Sequence, residues 1–318
     1  MTKLTSTAAH LDLVWWADQF GPVRRWAVED CRHLSRRLEA DLLAAGETIT
    51  RVPPKLMAHC RDSARTYGKS DPIDALAVAR AALREPGLPA ARLDGPEREL
   101  RLLTDHREDL VAERTRAICR LRWHLHELDP DWDPGPRTLN RKHTIAAVAG
   151  KLEAMTDLVA RLAADLAARI ASLTAQINAL EKEIAVLVRQ LAPSLLALPG
   201  AAELTAAKIV AETPGIDQFK SEDAFARHNG TAPLPVWAVG RRRHRLSRTG
   251  NRQLNCAIHR IAVTQIRCCP DAQAYLKRRM SAGDSKIEAL RALKRRLSDI
   301  AYRKLLADAQ LCTSTQAT

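Results

Sequence analysis

The 318-residue sequence predicts an α/β region at the N-terminus, followed by a chain that is mostly α-helical. Two observations indicate this fold class. Before residue 95, short strand-like runs alternate with helical patterns, which is the order typical of α/β proteins. After residue 95, long stretches have helical spacing, and aromatic residues make up only 4% of the chain. We therefore expect three regions, comprising residues 1–95, 96–192 and 193–318.

The first region contains two predicted strands, around residues 25–28 and 48–52, with a predicted helix between them. Leucines spaced four residues apart from Leu34 to Leu42 indicate this helix, and Gly46 is a typical residue to end it. The prolines and glycine of residues 86–89 mark the end of the region. The order of these elements indicates an α/β domain.

Two long helices are predicted for the second region. The first is amphipathic from Pro96 to about Leu128 and is followed by a proline-rich turn. In the second, apolar residues recur every three or four positions, which is the pattern of a coiled coil. These residues are Met155, Val159, Leu162, Leu166, Ile170, Leu173, Ile177, Leu180, Ile184, Leu187 and Leu191. The partner of this seam is either the preceding helix or a second subunit, and the latter predicts a homo-oligomer.

The third region begins with a Leu-Pro-Gly turn at residues 198–200. The turn joins two predicted helical segments and resembles a helix-hairpin-helix, whose backbone N–H groups hold a DNA phosphate. Gly200 is thus a candidate phosphate contact, although Ala202 stands where such motifs usually have a second glycine. An ordinary helical corner is the alternative. Further helices are predicted around residues 205–212, 222–228, 253–267 and 286–306.

Positive charge is concentrated in one segment of the chain. The formal net charge is +13 and the isoelectric point is about 9.8. Residues 241–304 contain 18 Lys and Arg against 4 Asp and Glu, so this segment alone accounts for the excess. Such a distribution is typical of a protein that binds a polyanion, and we expect nucleic acid as the partner. A solvated helix face is the alternative interpretation.

Several other protein classes are excluded by composition. A hydrophobic content of 46% rules out a disordered chain, and no apolar run approaches the roughly 18 residues that a membrane span needs. The seven cysteines are odd in number and lack metal-site spacing, and the N-terminus has no signal-peptide pattern. These features predict a cytoplasmic protein with reduced thiols and no membrane partner.

A basic loop is predicted from Arg241, with six arginines among residues 241–252. Guanidinium groups match phosphate oxygens through paired hydrogen bonds, and polar neighbours add further donors. No aromatic side chain is interleaved in the loop, so base stacking is not indicated there. The candidate nucleic-acid-binding residues are Gly200, Arg241, Arg242, Arg243, His244, Arg245, Arg248, Asn251 and Arg252.

Three carboxylates are candidates for a catalytic metal site. Asp71 and Asp74 lie three residues apart at the start of a predicted helix, so both project from one face. Glu29 follows a predicted strand and is the third candidate ligand. Carboxylate oxygens suit Mg²⁺, and two such ions can drive phosphodiester chemistry. The alternative, which the spacing alone favours, is a pair of acidic residues that stabilises the helix dipole.

Five stretches of the chain, taken together, resemble the DEDD transposases of bacterial insertion sequences, in the one-hundred-and-ten family related to the Piv invertases. The stretches are residues 26–29, 68–75, 198–200, 229–235 and 244–254. The resemblance covers nearly the entire chain and implies a RuvC-like N-terminal domain with the RNase H fold, a coiled-coil spacer and a C-terminal transposase domain. It also implies a recombinase that acts on DNA as an oligomer, and whose target choice a bridge RNA can direct.

The acidic positions of the family are incompletely matched. Glu29, Asp71 and Asp74 correspond to three of the four, and the resemblance implies that they are catalytic and bind Mg²⁺. The family's first aspartate belongs to a strand about thirty residues ahead of the glutamate, and that strand is missing here. We therefore expect an N-terminally truncated RuvC-like domain.

The nucleophilic serine of the family has no counterpart at its expected place. That place falls within residues 235–240, where Ala238 and Val239 offer no hydroxyl group, and Ser247 lies in a different segment. We therefore expect an insertion-sequence transposase that is catalytically defective as written. The alternatives are a non-catalytic DNA- or RNA-binding protein derived from a transposase, and a coiled-coil assembly protein whose charge serves solubility.

Overall fold

The computed structural model describes residues 6–62, 70–85, 87–88, 90–92, 95–213, 215–238, 241–245 and 250–316. The chain divides into two compact units, Met1–Asp94 and Gly95–Thr318. Helices predominate in the described part of both units. No helix in that part is long and apolar enough to cross a membrane. A further division of the second unit into spacer and C-terminal domain stays a prediction.

The first unit has a strand–helix–strand arrangement. Its elements are α1 (Thr7–Asp18), β1 (Trp26–Glu29), α2 (Arg32–Ala44), β2 (Ile49–Val52), α3 (Pro54–Asp62) and α4 (Asp71–Arg84). The strands are parallel, with Trp26 opposite Ile49 and Glu29 opposite Val52, and α2 forms the crossover that parallel strands require. Both predicted strands and the helix between them are confirmed. The RNase H fold remains a prediction, because the described sheet of this unit has two strands.

Apolar packing and one ion pair join α2 to the sheet. Leu42 of α2 packs on Ile49 of β2, and both side chains are fully buried. Val52, at the other end of β2, packs instead against α3 and α4. The guanidinium of Arg51 donates at 2.6 Å to the buried carboxylate of Glu39. Because that carboxylate is removed from water, the hydrogen bond to Arg51 offsets part of its desolvation.

The second unit is built on two long antiparallel helices. They are α5 (Pro96–Leu128) and α7 (Leu158–Leu191), and α6 (Lys142–Glu153) packs on α7 near its start. Arg107 of α5 pairs with Glu181 of α7, whereas Glu113, further along α5, pairs with Arg169. The pairing order shows that the helices run in opposite directions. The bounds of α5 match those predicted from sequence.

The apolar seam of α7 is buried within the chain, against α5. Its fully buried members are Ile170, Leu173, Ile177 and Ile184, each at most 1% exposed. Near the start of α7 the buried face consists instead of alanines, which let α5 and α6 approach closely, and the predicted seam residue Leu162 is 42% exposed. The partner of the seam is therefore the preceding helix, and the seam gives no support for pairing with a second subunit.

Six further α-helices and two strands lie in the described part of the second unit. They are α8 (Pro193–Leu196), α9 (Glu203–Glu212), α10 (Glu222–His228), β3 (Leu234–Ala238), β4 (Arg241–Arg245), α11 (Arg252–Cys268), α12 (Pro270–Ser281) and α13 (Lys286–Gln316). Helices α9, α10, α11 and α13 confirm predicted segments, whereas α12 is a helix that the sequence pattern did not predict. One apolar core, with Phe225 and Ile258 fully buried, joins these helices to the end of α7.

Candidate nucleic-acid interface

The segment predicted as a basic loop begins as a β-strand. Strands β3 and β4 are antiparallel, with Leu234 opposite Arg245 and Trp237 opposite Arg242. The prediction of an irregular loop is therefore wrong for residues 241–245. The pairing has a physical basis, since β3 is rich in the apolar and aromatic residues that favour strands. We call residues 234–245 the basic hairpin.

Much of the predicted side-chain chemistry of this segment lies outside the described part of the structure. The backbone is described for Ala238, Arg241, Arg242, Arg243, His244 and Arg245, but their side chains are not. Val239, Ser247 and Arg248 lie outside the described residues altogether. The assignment of these arginines to nucleic-acid binding stays a prediction. The geometry that bears on this assignment is that of the residues at the two ends of the segment and of the helices on which they pack.

The two ends of the basic segment meet at one point. Gly230 precedes β3 and Gly250 precedes α11, and their backbones touch, since a Cβ on Gly250 would lie 2.3 Å from the Gly230 nitrogen. The Asn251 N–H donates to the His228 carbonyl at 2.7 Å. The segment therefore leaves the helical core and returns to it through a closed, hydrogen-bonded base.

Asn251 is a structural anchor of this base. Its Oδ1 caps α11 by accepting from the Leu254 N–H at 3.0 Å, and its Nδ2 donates to Glu212 Oε2 at 2.8 Å. Glu212, at the end of α9, is only 5% exposed. The side chain of Asn251 thus joins the base of the basic segment to α9, and its predicted contact with nucleic acid remains untested.

A buried lysine joins α9 in turn to α5. Lys208 Nζ lies 3.1 Å from Asp105, 3.0 Å from Glu108 and 3.6 Å from Glu212. Burial by itself lowers the pKa of Lys208, but hydrogen bonds with Glu108 and Asp105 outweigh it, so the pKa lies above its ordinary value. The positive charge of Lys208 is therefore balanced by carboxylates within the fold. Because one of these carboxylates, Glu212, also accepts from Asn251, Lys208 helps to hold Asn251 in place.

Positive charge gathers where α11 meets α13. Lys294 Nζ donates to Asn255 Oδ1 at 2.6 Å. Burial lowers the pKa of Lys294, the charges of Arg252 and Arg291 add to this effect, and Cys256 opposes it. Because like charges repel, a bound anion would relieve this cluster. Arg252 was predicted from the sequence, whereas Lys294 and Arg291 were not, because their only signal was the positive charge of the whole region.

The Leu-Pro-Gly turn packs on α11. Gly200 has a φ of +84°, and a Cβ there would lie 3.2 Å from the Ile261 carbonyl oxygen and 3.2 Å from the Thr264 Cβ. Gln265 Nε2 also donates to the Pro199 carbonyl at 2.7 Å. The helix before the turn, α8, has only four residues. Close packing on α11 is thus sufficient to explain this glycine, and its contact with phosphate stays a prediction.

The predicted acidic residues of the first unit are not gathered into a metal site. Glu29 is the last residue of β1, and Asp71 and Asp74 lie in the first turn of α4. Asp74 accepts from Arg61 at 3.2 Å, as expected for a structural ion pair at a helix start. Among the described residues, no three His, Cys, Asp or Glu side chains are placed to hold a metal ion. Residues 63–69, immediately ahead of α4, are not among those described.

Two transposase family models match the chain. A DEDD transposase model of the IS110 type matches residues 3–130, and the model of the transposase IS116/IS110/IS902 family matches residues 192–277. Together they cover about two thirds of the sequence, including nearly all of the first unit, all of α5, and the region from α8 to most of α12.

Two curated proteins are similar along most of their length. The "Insertion element IS116 uncharacterized 44.8 kDa protein" of Streptomyces clavuligerus is 29% identical, with 91% of this chain and 84% of that protein aligned. The "Insertion element IS900 uncharacterized 42 kDa protein" of Mycobacterium paratuberculosis is also 29% identical, with 88% of this chain and 82% of that protein aligned. The similarity therefore extends across both units.

Proposed function

Because this chain belongs to the IS116/IS110/IS902 family of transposases, we propose that it holds DNA through residues 241–252 and that its 318 residues do not carry out strand exchange. DNA is the partner that the transposase family implies. The proposal thus separates binding, which the chain retains, from the chemical step, which it lacks.

The concentration of positive charge carries the binding part of the proposal. Residues 241–304 hold 18 basic against 4 acidic residues, whereas the rest of the chain is nearly neutral. A duplex bears a dense row of phosphates, and each one neutralised by Lys or Arg releases condensed counterions. A segment with this charge therefore gains free energy when it lies along nucleic acid.

The shape of the basic hairpin and the residues at its base also support DNA binding. An antiparallel two-stranded ribbon has a shape that the major groove of DNA admits, and the basic hairpin is such a ribbon. Gly230 and Gly250 close its base. Asn255 links this base to Lys294, since it donates to the Asn229 carbonyl and accepts from Lys294. The exposed Arg252 and Arg291 add positive charge around Lys294. A fixed base costs less conformational entropy on binding than a free loop would.

The missing serine carries the catalytic part of the proposal. Residues 235–240 read Pro-Val-Trp-Ala-Val-Gly, so no side chain there supplies a hydroxyl or thiol nucleophile. A covalent protein–DNA intermediate requires such a group together with a base that activates it. Ser247 is the nearest hydroxyl further along the chain, and we assign no catalytic role to it.

A divalent metal ion is implied by the DEDD transposase family, and Mg²⁺ is the ion that carboxylate ligands suit. Glu29, Asp71 and Asp74 are the proposed catalytic ligands. In the described residues they form no group of three, and Asp74 is engaged by Arg61. The proposed function therefore assigns no step to a metal ion.

Two further partners belong to the proposal by family resemblance. A bridge-type guide RNA would bind to the same basic segment, because its phosphates carry the same charge as those of DNA. Self-association could not use the part of the α7 seam around Ile177 and Ile184, since both side chains are already buried by the chain itself.

A second candidate is a nucleic-acid-binding protein that descends from a transposase and has another use. The same absence of a hydroxyl group from residues 235–240 favours it. The two candidates agree on binding and differ in strand exchange, so a binding measurement tests what they share.

The test of binding is the salt dependence of DNA affinity, measured by fluorescence anisotropy with the full chain. A variant with alanine at Arg241, Arg242, Arg243 and Arg245 should bind more weakly. The slope of log affinity against log salt should also fall by about one unit for each phosphate that the variant no longer neutralises.

The matched control removes the same total charge elsewhere. Alanine replaces four exposed arginines of α5 and α7, namely Arg116, Arg120, Arg161 and Arg189. This control should keep the wild-type slope. Equal slopes for wild type and the hairpin variant would contradict the proposal, as would an equal weakening of binding in both variants.

A further inference from the structure

A cavity of about 500 Å³ lies between α11, α12 and α13, and Pro199 of the Leu-Pro-Gly turn also lines it. Leu293, Leu297 and Ile300 of α13 form its apolar wall, and Tyr275 lines its α12 side. The volume falls within the roughly 300–1,000 Å³ range of small-molecule sites. No residue of this cavity belongs to the basic hairpin.

Two arginines at the cavity are held against the tyrosine ring. The guanidinium carbons of Arg278 and Arg296 lie 5.3 and 5.6 Å from the centre of the Tyr275 ring. Both distances are within cation–π range. Both arginines are exposed, so the ring orients two positive groups at the rim of an apolar cavity.

These two arginines differ from their neighbours in having no acidic partner within the described part of the chain. Arg279 pairs with Asp284, Arg295 with Asp223, and Arg303 with Glu222. In that same part, no ion pair involves Arg278 or Arg296. Asp271 also lines the cavity, which leaves one positive charge in excess among these three side chains.

We propose that this cavity is a binding site for one unpaired nucleotide of single-stranded nucleic acid. Its wall of apolar side chains would accept the flat base, and Arg278 and Arg296 would hold the adjacent phosphate. A base paired within a duplex is not free to enter such a cavity, so the site is selective for single strands. The inference rests on the proposed nucleic-acid function and adds a site for an unpaired base to the phosphate contacts proposed for the basic hairpin.

A variant that fills the cavity without changing charge tests the inference most sharply. Ala274 lines the cavity and is exposed, so Ala274→Phe should fold and should occupy the space of the base. The affinity of the full chain for a single-stranded oligonucleotide should fall about fivefold or more, since stacking and burial of one base supply about 1–3 kcal/mol. The salt slope and the affinity for duplex DNA should be unchanged. Ala179→Phe, at an exposed position of α7, is the matched control and should keep wild-type affinity.

A charge variant gives an independent readout. Arg278→Ala should weaken single-strand binding more than Lys277→Ala, because Lys277 is exposed on the same helix but does not line the cavity. An oligonucleotide with an abasic site at its centre should bind wild type less well than the intact one, and Ala274→Phe should abolish this difference. The affinities for single-stranded DNA and for single-stranded RNA are measured separately. A higher affinity for one of them identifies the nucleic acid that supplies the nucleotide.

The outcomes separate this inference from the proposed function. If wild type binds duplex DNA with a steep salt slope while Ala274→Phe binds single strands as wild type does, the cavity is not a nucleotide site and the proposed function stands. If wild type binds neither duplex nor single strands, the proposed function fails, and the inference fails with it.

Discussion

Gly250 packs directly on the backbone of Gly230, at the point where the basic segment leaves the helical core and returns to it. An added Cβ on Gly250 would lie 2.3 Å from the Gly230 nitrogen and 2.4 Å from its Cα. Both are backbone atoms, which cannot rotate away as a side chain would. The closed base of the segment therefore depends on the absence of a side chain at position 250.

The first prediction follows from this close approach. Gly250→Ala should lower the free energy of unfolding by about 1–3 kcal/mol through overpacking, and it should weaken DNA binding because the base of the basic segment must shift. The control is Gly150→Ala in α6, where no atom lies within 4 Å of the new Cβ. That change should stabilise the protein by up to about 1 kcal/mol. Urea unfolding and anisotropy measure both quantities, and wild-type stability in Gly250→Ala would contradict the close approach of the two backbones.

The second prediction concerns Lys208. Its replacement by methionine removes the nearer positive partner of the buried Glu212 and leaves only Arg101, at 4.0 Å, among the described residues. The free energy of unfolding should therefore fall by about 2–4 kcal/mol at neutral pH. Arg189→Met is the control, because the pair of Arg189 with Glu203 is exposed and contributes less than about 1 kcal/mol. Equal stabilities for the two variants would show that the buried network contributes nothing.

The pH dependence of the same network has a definite sign. The folded-state pKa of Lys208 is raised, so its contribution to stability is complete below the ordinary lysine pKa and disappears as pH rises through the folded value. The stability difference between wild type and Lys208→Met should therefore be constant at neutral pH and shrink under strongly alkaline conditions. A difference that grows with alkaline pH would reverse the assigned sign.

The third prediction concerns the α7 seam. Ile184→Ala should lower the free energy of unfolding by about 2–5 kcal/mol, because the side chain is fully buried within the chain. The decrease should be the same at every protein concentration. Val186→Ala, at a neighbouring position that is 53% exposed, should change stability by less than about 0.5 kcal/mol. A decrease in Ile184→Ala that depends on concentration would show that a second subunit covers the seam.

Local pattern was sufficient to predict the regular elements. The two strands of the first unit were predicted from strand-like runs that alternate with helical patterns, and Pro96 correctly marked the start of α5. The shift of the α7 seam onto alanines near Ala163 was missed, since alanine carries little hydrophobic signal. Helix α12 was missed for a related reason, as it has only two buried residues, Ala272 and Leu276.

Interactions between distant residues could not be predicted in the same way. Glu212 and Asn251 are 39 residues apart, and nothing in either segment specifies their hydrogen bond. The pairing of β4 with β3 could not be predicted from the sequence either, because the five consecutive basic residues of β4 resemble a solvated loop. Regional charge indicated the segment that is proposed to bind nucleic acid, but it could not separate paired arginines such as Arg295 from Arg278, which has no ion pair among the described residues.

The central claim is that this transposase-family chain holds DNA without joining covalently to it. The most direct measurement is denaturing gel electrophoresis of the chain after incubation with Mg²⁺, a candidate guide RNA and labelled DNA carrying the element's ends. A native gel of the same mixture confirms that the complex has formed. We predict a shifted band on the native gel, and neither cleaved strands nor a protein–DNA adduct on the denaturing gel. A labelled adduct that survives denaturation and disappears in Ser247→Ala would contradict the claim and would identify Ser247 as the nucleophile.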